Sequence, residues 1–265
     1  MSRRIKPIRT LNPFELEKVR STFAKNKSYD RLIKTYQKQF PEIPNWNTSE
    51  LWDRLNIKFS NKLKDNPMAR DRLNTVSNLL DKIKGRILNV GFGSADLEEI
   101  FFRKSRVGVS WYGIDISPLS VDLASKRFPN LKFDLGNLNN LKSANNFFDC
   151  IIILEVLEHI PPNEIFACLK RVYKVLKRKG KLIISIPLNE NLQKMFKTGL
   201  NPNAHVRVYT PDLIEAELHI SGFRILWKKN LYAFHSNYYI KSLLVNLIFK
   251  TYRHPNNFII VAGKK

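Results

Sequence analysis

From residue 86 onward, short β-branched runs alternate with helix-like segments, and this alternation constrains the fold more than any other feature of the chain. Five runs, RILNV, WYGIDI, LKFDL, FDCIIIL and KLIISIP, are separated by segments of helical period. Such an order predicts a parallel sheet with crossover helices. Two later runs, FRILWKKNLYAF and NNFIIVAG, predict closing strands. We therefore expect a doubly wound, mostly parallel, seven-stranded α/β sheet.

The residues before the first strand predict a helical extension of this sheet. The segment KVRSTFAKNKSYDRLIKTYQKQF has helical spacing, PEIPNWN interrupts it, and a new helix begins near Ser49. A further helix over residues 69–84 carries one apolar stripe and leads into the first strand. We divide the chain into a helical N-terminal extension or lid, residues 1–70, and an α/β domain, residues 71–265. An amphipathic insertion, residues 237–252, separates the last two strands.

The charge of the chain narrows the classes of partner. There are 45 Lys and Arg against 23 Asp and Glu, a formal net charge of +22. This excess favours phosphate-bearing partners such as RNA, anionic lipid or activated metabolites, although abundant Lys, Asn and Ile also fit a compositional bias. The two cysteines, Cys150 and Cys168, provide neither a disulfide framework nor a zinc-finger spacing. Without a signal-peptide core or a bilayer-length apolar run, we expect a cytoplasmic protein, with peripheral membrane contact left open.

The stretch ILNVGFGSADLEE predicts a ligand-binding turn between the first strand and a helix. Gly91 and Gly93 match the first two glycines of the dinucleotide turn G-x-G-x-x-G. Asp96 stands at the third position, and Glu98 and Glu99 follow it, so a diphosphate would meet three carboxylates at this helix N-terminus. A ligand without phosphates suits such a turn better, and S-adenosylmethionine is one.

A second acidic position supports the same ligand. Asp115 ends the second predicted strand, 24 residues after Gly91. An acid at this place accepts hydrogen bonds from ribose hydroxyls in dinucleotide folds, and its carboxylate could serve the ribose of S-adenosylmethionine in the same way. An alternative is that Asp115 caps the helix that starts near Ser117.

Five segments in order resemble the class I S-adenosylmethionine-dependent methyltransferases, over roughly residues 73–223. They are ILNVGFGSA, GIDIS, LKFDLGNLNNL, FDCIIILEVLEHI and RVYKVLKRKGKLIISIP. The chain departs from the family's usual residues at Asn89 and Asn137, where Asp is common, and at Phe92, where Cys is frequent. The resemblance implies methyltransferase activity and S-adenosylmethionine as cofactor. It implies cofactor contacts at Asn89, Gly91, Phe92, Gly93, Asp115, Ile116, Asn137, Leu138 and Leu154.

Catalytic candidates follow the fourth and fifth strands, because ligands sit beyond the carboxyl ends of parallel strands. In EVLEH, one helical turn would bring Glu155, Glu158 and His159 together, and His205 lies in the loop after the fifth strand. Two mechanisms are compatible with these residues. In the first, His159 or His205 takes a proton from a substrate hydroxyl. In the second, the two carboxylates and the two imidazoles bind a divalent cation. The second pattern resembles the small-RNA 2′-O-methyltransferases, and ExxEH also occurs in ubiquinone-biosynthesis O-methyltransferases. We assign catalysis to His159, His205 and Glu155, assign no metal ligand, and keep the divalent cation as the alternative.

The expected reaction is methylation of an oxygen of a small or lipid-linked metabolite. An RNA methyltransferase and a non-catalytic cofactor-binding or membrane-associated protein are the alternatives. The insertion at 237–252 has an apolar face beside basic residues, which is typical either of a helix in a membrane interface or of a lid or dimer contact. We expect the N-terminal helices and this insertion to roof the acceptor pocket. The sequence provides no expectation of the oligomeric state.

Overall fold

The computed structural model describes residues 47–59, 66–104, 107–161, 164–188, 190, 204–234, 236–248 and 254–265. Seven strands form one sheet. In chain order they are β1 (Gly85–Val90), β2 (Val109–Asp115), β3 (Lys132–Leu135), β4 (Phe148–Leu154), β5 (Leu176–Pro187), β6 (Phe223–Leu231) and β7 (Asn257–Lys264). Every strand predicted from the sequence is confirmed.

The strand order across the sheet is β3-β2-β1-β4-β5-β7-β6. The pairs among β1 to β5 are parallel, whereas β7 runs antiparallel to both β5 and β6. The predicted doubly wound, mostly parallel sheet is therefore confirmed. The chain reverses direction across the sheet between β1 and β4, and in such sheets ligands bind beyond the carboxyl ends of the strands at this point.

Seven helices accompany the sheet in the described part of the chain. They are α1 (Ser49–Phe59), α2 (Pro67–Leu79), α3 (Asp96–Phe102), α4 (Pro118–Arg127), α5 (Ile165–Val175), α6 (Pro211–Ile220) and α7 (Tyr238–Leu247). Side-chain oxygens of Asn66, Ser117 and Thr210 accept backbone N–H groups at the starts of α2, α4 and α6, and a proline follows each cap.

Both faces of the sheet are buried, which explains the unbroken apolar runs of the central strands. In β4, Ile151 and Ile153 pack with α5 and α6 on one face. Cys150 and Ile152 pack with α2 and α3 on the other face. Successive side chains of a strand point to opposite faces, so one segment contributes to two cores.

The two pieces outside the sheet are only partly described. Helix α2 crosses the boundary that we placed at residue 70. Its residue Val76 and the following Leu80 pack on the sheet as the predicted stripe requires. Residues 1–46, and with them the first predicted helix, lie outside the described residues. Helix α7 lies between β6 and β7, where the insertion was predicted. Among the described helices, none combines the length and apolarity needed to cross a membrane.

Candidate active site

A cavity of about 440 Å³ opens at the carboxyl ends of β1, β2 and β4. This volume lies in the range of small-molecule sites. Its wall combines the glycine turn, the end of β2, the loop after β3 and the turn after β4 with residues from α1 and α5. The lining residues include Gly91, Gly93, Asp115, Ile116, Asn137, Leu138, Glu155, Val156, His159, Ile160, Glu164 and Cys168.

The glycine turn brings the backbone close to the turn after β4. Gly91 has a φ of +68°, and a Cβ there would lie 2.5 Å from Cγ2 of Val156. Any other residue at this position would therefore meet both backbone strain and a steric clash. Gly93, with a φ of +56°, directs its N–H towards the end of β2.

Asp115 joins the glycine turn to the start of α4. Its Oδ2 accepts the N–H of Gly93 at 2.9 Å, and its Oδ1 accepts the N–H of Ser117 at 2.9 Å. Burial raises the pKa of Asp115, while these two amides lower it in part. The carboxylate lines the cavity and retains lone pairs for further donors such as ribose hydroxyls. The capping alternative is therefore only part of its role, because the same group also braces the glycine turn.

The predicted cofactor residues divide into two groups. Gly91, Gly93, Asp115, Ile116, Asn137 and Leu138 line the cavity, whereas Asn89, Phe92 and Leu154 are not among its lining residues. Phe92 packs on Phe133, with ring centroids 4.8 Å apart. Asn137 Oδ1 accepts the N–H of Asn140 at 2.9 Å, which leaves its Nδ2 as the donor available on that side chain.

Asn89 belongs to a buried polar group behind the glycine turn. Its Nδ2 donates to Oε1 of Glu98 at 2.8 Å, and Nε1 of Trp111 donates to the same oxygen at 3.0 Å. Burial raises the pKa of Glu98 to about 7, against the lowering effect of these donors. The side chain of Asn89 thus holds helix α3 against strand β1.

The three carboxylates after the glycine turn do not form one charged face. Glu98 is fully buried in the group just described, and Glu99 forms ion pairs with Arg103 and Arg127. Ser94 donates to Asp96 at 3.0 Å. The expectation that all three would face a diphosphate is therefore wrong, because two of them have partners elsewhere.

Glu155 is held by three neighbours after β4. Nη1 of Arg72 lies 2.8 Å from its Oε2, Ser185 donates to its Oε1 at 2.7 Å, and Asn257 donates to both oxygens at 3.0 Å. Its backbone has a φ of +55°, so the chain leaves β4 without entering a helix. The expected helical turn over EVLEH is wrong: only Leu157–His159 forms a short 3-10 turn.

The turn after β4 and the loop after β5 bring Glu158, His159 and His205 together. Oε1 of Glu158 lies 3.8 Å from Nε2 of His159 and 3.9 Å from Nε2 of His205. The carbonyl of Glu158 accepts the N–H groups of Val206 and Arg207, which fixes the two segments to each other. One potential ligand atom from each of the three residues lies within 4.8 Å of the others. We call this set the Glu-His-His cluster.

Hydrogen bonds orient both imidazoles of the Glu-His-His cluster. Nδ1 of His205 lies 2.6 Å from Oε2 of Glu190, and Nδ1 of His159 lies 3.3 Å from the carbonyl of Ala204. Because a carboxylate and a carbonyl accept, each Nδ1 carries a hydrogen and each Nε2 is directed towards Glu158. Both oxygens of Glu158 are buried without a hydrogen-bond partner among the described residues. The potential ligand atoms of the three residues therefore converge, an arrangement that can hold a cation.

The ionisation of the Glu-His-His cluster follows from its burial. Burial and then His205 lower the pKa of His159 to about 3, so its imidazole is neutral at neutral pH. Burial and then Glu155 raise the pKa of Glu158 well above its ordinary value. A divalent cation beside Glu158 would favour the charged form of its carboxyl group.

Comparison of the sequence with models of known protein families gives one match that includes the glycine turn. The family model described as a methyltransferase domain matches residues 60–227. The chain belongs to the class I S-adenosylmethionine-dependent methyltransferase family. The matched span contains the glycine turn, Asp115, the Glu-His-His cluster and the first six strands up to Trp227.

Two curated relatives match part of this methyltransferase. The chain is 27% identical over 163 residues to a ubiquinone biosynthesis O-methyltransferase of Azorhizobium caulinodans, covering 55% of this chain and 62% of that protein. It is 25% identical over 140 residues to a demethylmenaquinone methyltransferase of Thermotoga maritima, covering 53% and 59%. The chain thus spans about three fifths of the length of the relatives it matches.

Solved structures share the fold of the methyltransferase. One is the Burkholderia thailandensis 1,6-didemethyltoxoflavin-N1-methyltransferase with bound S-adenosylhomocysteine, at a TM-score of 0.59 and 13% identity, covering 85% of this chain and 92% of that one. Another is a methyltransferase from Archaeoglobus fulgidus, at a TM-score of 0.54 and 19% identity, covering 73% and 94%. At these identities the likeness supports the fold alone.

The N-terminal helix α1 contributes a wall of the methyltransferase cavity that sequence reasoning did not assign by residue. Asn47, Trp52 and Asn56 line the cavity. Nδ2 of Asn47 donates to the carbonyl of His159 at 2.9 Å, and the Trp52 ring meets the His159 ring edge-on at 4.8 Å. The sequence feature that pointed to these three residues was the predicted helical N-terminal extension or lid, residues 1–70. The insertion helix α7 contributes none of the lining residues, so the expected roof consists of α1 without α7 among the described elements.

Proposed function

We propose that this methyltransferase transfers the methyl group of S-adenosylmethionine to an oxygen of a small or lipid-linked acceptor. The observation that carries the proposal is one cavity that joins the Asp115 carboxylate at one end to His159 at the other. Bound there, the cofactor supplies an electrophilic methyl group. The chain's own task is to align the acceptor oxygen with that group, to remove its proton and to exclude water.

Asp115 and the glycine turn form the cofactor end of the cavity. The Asp115 carboxylate is positioned by two backbone amides before any ligand binds, so little reorganisation is needed to accept two ribose hydroxyls. Ile116 and Leu138 provide apolar surfaces for the adenine ring, and Nδ2 of Asn137 provides a donor for its edge.

His159 forms the acceptor end of the cavity, but its pKa makes it a poor base. A phenol-like hydroxyl has a pKa of about 10, so transfer of its proton to an imidazole with a pKa of about 3 would cost about 10 kcal/mol. General-base catalysis works best when the pKa of the base lies near the operating pH. A different means of acidifying the hydroxyl fits this site better.

The Glu-His-His cluster fits a divalent cation. Two imidazoles and one carboxylate are ligands that Zn²⁺, Mn²⁺ and Fe²⁺ accept. The buried oxygens of Glu158 have no donor within the described ranges, and the Nδ1 hydrogens of both imidazoles are already held by acceptors. Glu158, His159 and His205 would hold the ion, which would lower the pKa of a nearby hydroxyl. Glu155 is not included, because Arg72, Ser185 and Asn257 hold its carboxylate.

The acceptor class follows from the cavity wall and the relatives. Trp52, Val156 and Ile160 provide an apolar wall next to His159, which suits a ring with a hydroxyl group. Both curated relatives are named for quinone-related methyl transfer. We therefore propose a hydroxylated aromatic or quinone-like acceptor, free or lipid-linked.

Two measurements test the proposal in order. Calorimetry with S-adenosylmethionine should show saturable binding to the wild-type protein and much weaker binding to Asp115→Asn; an absence of binding to the wild type would overturn the proposal. Incubation with methyl-labelled cofactor and a metabolite extract should then place label on an oxygen of a small molecule. Label on added RNA instead would favour the RNA methyltransferase alternative.

Removal of divalent cations with a chelator distinguishes cation-assisted removal of the acceptor's proton from removal by a histidine. If a divalent cation is used, transfer should stop after chelation and return when Mn²⁺ or Zn²⁺ is added. Transfer that is indifferent to chelation would assign the proton removal to a histidine and remove the cation from the proposal.

A further inference from the structure

Helix α7 presents an apolar face away from the described part of the protein. Its large apolar side chains are between 40% and 66% exposed, although such residues usually pack in a core. They are Tyr239, Ile240, Leu243, Leu244, Leu247 and, at the helix end, Ile248. We call this surface the α7 face. It excludes the expectation that the helix is a lid packed on the core through its apolar side.

The spacing of these residues makes the α7 face continuous. At about 100° per residue, their six positions fall within one half of the helix circumference. Tyr238 and Val245 lie seven residues apart on the opposite half and are both buried. The polar residues Lys241, Ser242 and Asn246 border the apolar half. Because the buried pair anchors the helix to the protein, the apolar half points directly outwards.

A hydrogen-bonded contact holds this orientation. The hydroxyl of Tyr238 donates to Oδ2 of Asp71 in α2 at 3.0 Å. Nζ of Lys229 in β6 donates to Oδ1 of the same Asp71 at 2.9 Å. The start of α7 is thus fixed to two elements of the folded domain. The exposure of the α7 face is therefore built into the fold.

The charge of this region indicates what covers the α7 face. After Glu217 the sequence has no acidic residue, whereas it has eight basic residues up to the C-terminus, of which Lys228 and Lys229 pair with Glu215 and Asp71. Lys241 lies on the border of the face itself. A second copy of the chain would bring a further net charge of +22, which opposes pairing of two such faces. An anionic lipid surface complements both the charge and the apolarity.

We propose that the α7 face docks the methyltransferase onto an anionic lipid membrane. Helix α7 lies in the interface with its apolar residues among the acyl chains and Lys241 at the headgroups. This docking is independent of which acceptor is methylated and would stand if the proposed reaction failed. It adds a membrane-binding activity at a helix that contributes no residue to the lining of the candidate active site.

Vesicle binding by the full chain tests the proposal. The probes are unilamellar vesicles of phosphatidylcholine with phosphatidylglycerol and vesicles of phosphatidylcholine alone. Wild-type protein should co-sediment with the anionic vesicles, and Leu243→Ser/Leu247→Ser should lower its partition coefficient at least tenfold, because two apolar anchors are removed. Leu123→Ser is the matched control, since Leu123 is a similarly exposed leucine on α4. It should leave vesicle binding unchanged.

Other occupants of the α7 face give different results. If a second copy covers it, the wild type should be dimeric by light scattering and the double variant monomeric, with equal vesicle binding by both. Equal vesicle binding with no change of mass would mean that another part of this chain or another partner covers the face. Binding to RNA without binding to vesicles would assign the charge to nucleic acid. Each of these results would overturn the proposal. If the double variant folds poorly by circular dichroism, Ile240→Ser/Ile248→Ser supplies the same test.

Discussion

Asn89 donates a hydrogen bond of 2.8 Å to Glu98, and both side chains are buried behind the glycine turn. The resemblance to class I methyltransferases leads one to expect an acid at position 89 on the strand. In this chain the acid of the pair stands on the helix and the amide on the strand. An amide can donate a hydrogen bond, whereas a carboxylate cannot. Asn89 can therefore stabilise the buried carboxyl group of Glu98 beside it.

Replacement of Asn89 by Asp should destabilise the protein. It would place a second carboxyl group against Glu98 and remove the N–H donor that Glu98 now accepts. Loss of a buried hydrogen bond with like-charge repulsion costs about 3 kcal/mol. Urea unfolding at neutral pH should show this loss. S-adenosylmethionine affinity should change less than the stability, because Asn89 is not among the lining residues of the cavity.

A compensating substitution distinguishes this cause from a general intolerance of position 89. In Asn89→Asp/Glu98→Gln, the new amide can donate to the new carboxylate, so most of the lost free energy of unfolding should return. If the double variant is as unstable as the sum of the two single variants, the pair is not coupled as the structure implies.

Glu98 should also make stability depend on pH. Its pKa in the folded protein is raised from 4.5 to about 7, so the protonated form is the one that folding favours. Its contribution is therefore fully present below about pH 4.5 and is lost as the pH rises through about 7. The shift corresponds to about 3 kcal/mol.

Glu98→Gln isolates this contribution, because glutamine retains the shape of the protonated acid and does not titrate. The stability of the variant relative to wild type should rise by about 3 kcal/mol between pH 4.5 and pH 7.5. Glu99→Gln on the same helix is the control, since the Glu99 carboxylate forms ion pairs with Arg103 and Arg127. A parallel rise in both variants would show that the effect does not come from the buried acid.

Asp115 should determine cofactor affinity more than stability. Asp115→Asn keeps an oxygen that can accept one of the two backbone N–H groups but loses the charge that strengthens hydrogen bonds to ribose hydroxyls. Calorimetry with S-adenosylhomocysteine should show affinity reduced by about 10- to 100-fold. Asp134→Asn, at an exposed position on β3, should bind like the wild type. Unchanged affinity in Asp115→Asn would remove the ribose role.

The sheet was predictable because its signal is local and repeated. The central strands β1, β4 and β5 carry apolar runs that are buried on both faces, and helical periods separate the parallel strands, so the existence and direction of β1 to β5 follow from the sequence pattern. The order of the strands across the sheet, with β7 between β5 and β6, was not predicted. The glycine turn and Asp115 were predictable for a related reason, since backbone geometry and strand ends determine where they lie. Even the cap at Thr210 needs only neighbouring residues.

The partners of the site residues were not predictable in the same way. Glu155 is paired with Arg72, which is 83 positions earlier, and Glu190 orients His205 from the other side of an undescribed segment. Nothing in EVLEH itself indicates that Glu155 has a positive φ and that its side chain is therefore held apart from Glu158. Side-chain pairing between distant elements depends on packing, whereas sequence periodicity reports only the face on which a residue lies.

Glu158 should decide whether a divalent cation stabilises the protein. At 100 times the dissociation constant, a cation bound only to the folded protein adds about 2.7 kcal/mol. For a domain of this size, the Tm should rise by about 5 to 10 °C on addition of Mn²⁺ or Zn²⁺. In Glu158→Gln this rise should disappear, because an amide is a poor replacement for the buried carboxylate as a ligand.

The metal-free stability of the same variant completes the test. Burial raises the pKa of Glu158 and so favours its neutral form, and replacement by the neutral glutamine should therefore cost no more than about 1 kcal/mol at neutral pH. Glu164→Gln, which changes another cavity carboxylate, should keep the full cation response. If the Tm of wild type and Glu158→Gln rise equally with Mn²⁺ and Zn²⁺, the ion binds elsewhere. The convergence of the two imidazole rings on Glu158 would then be a feature of packing alone.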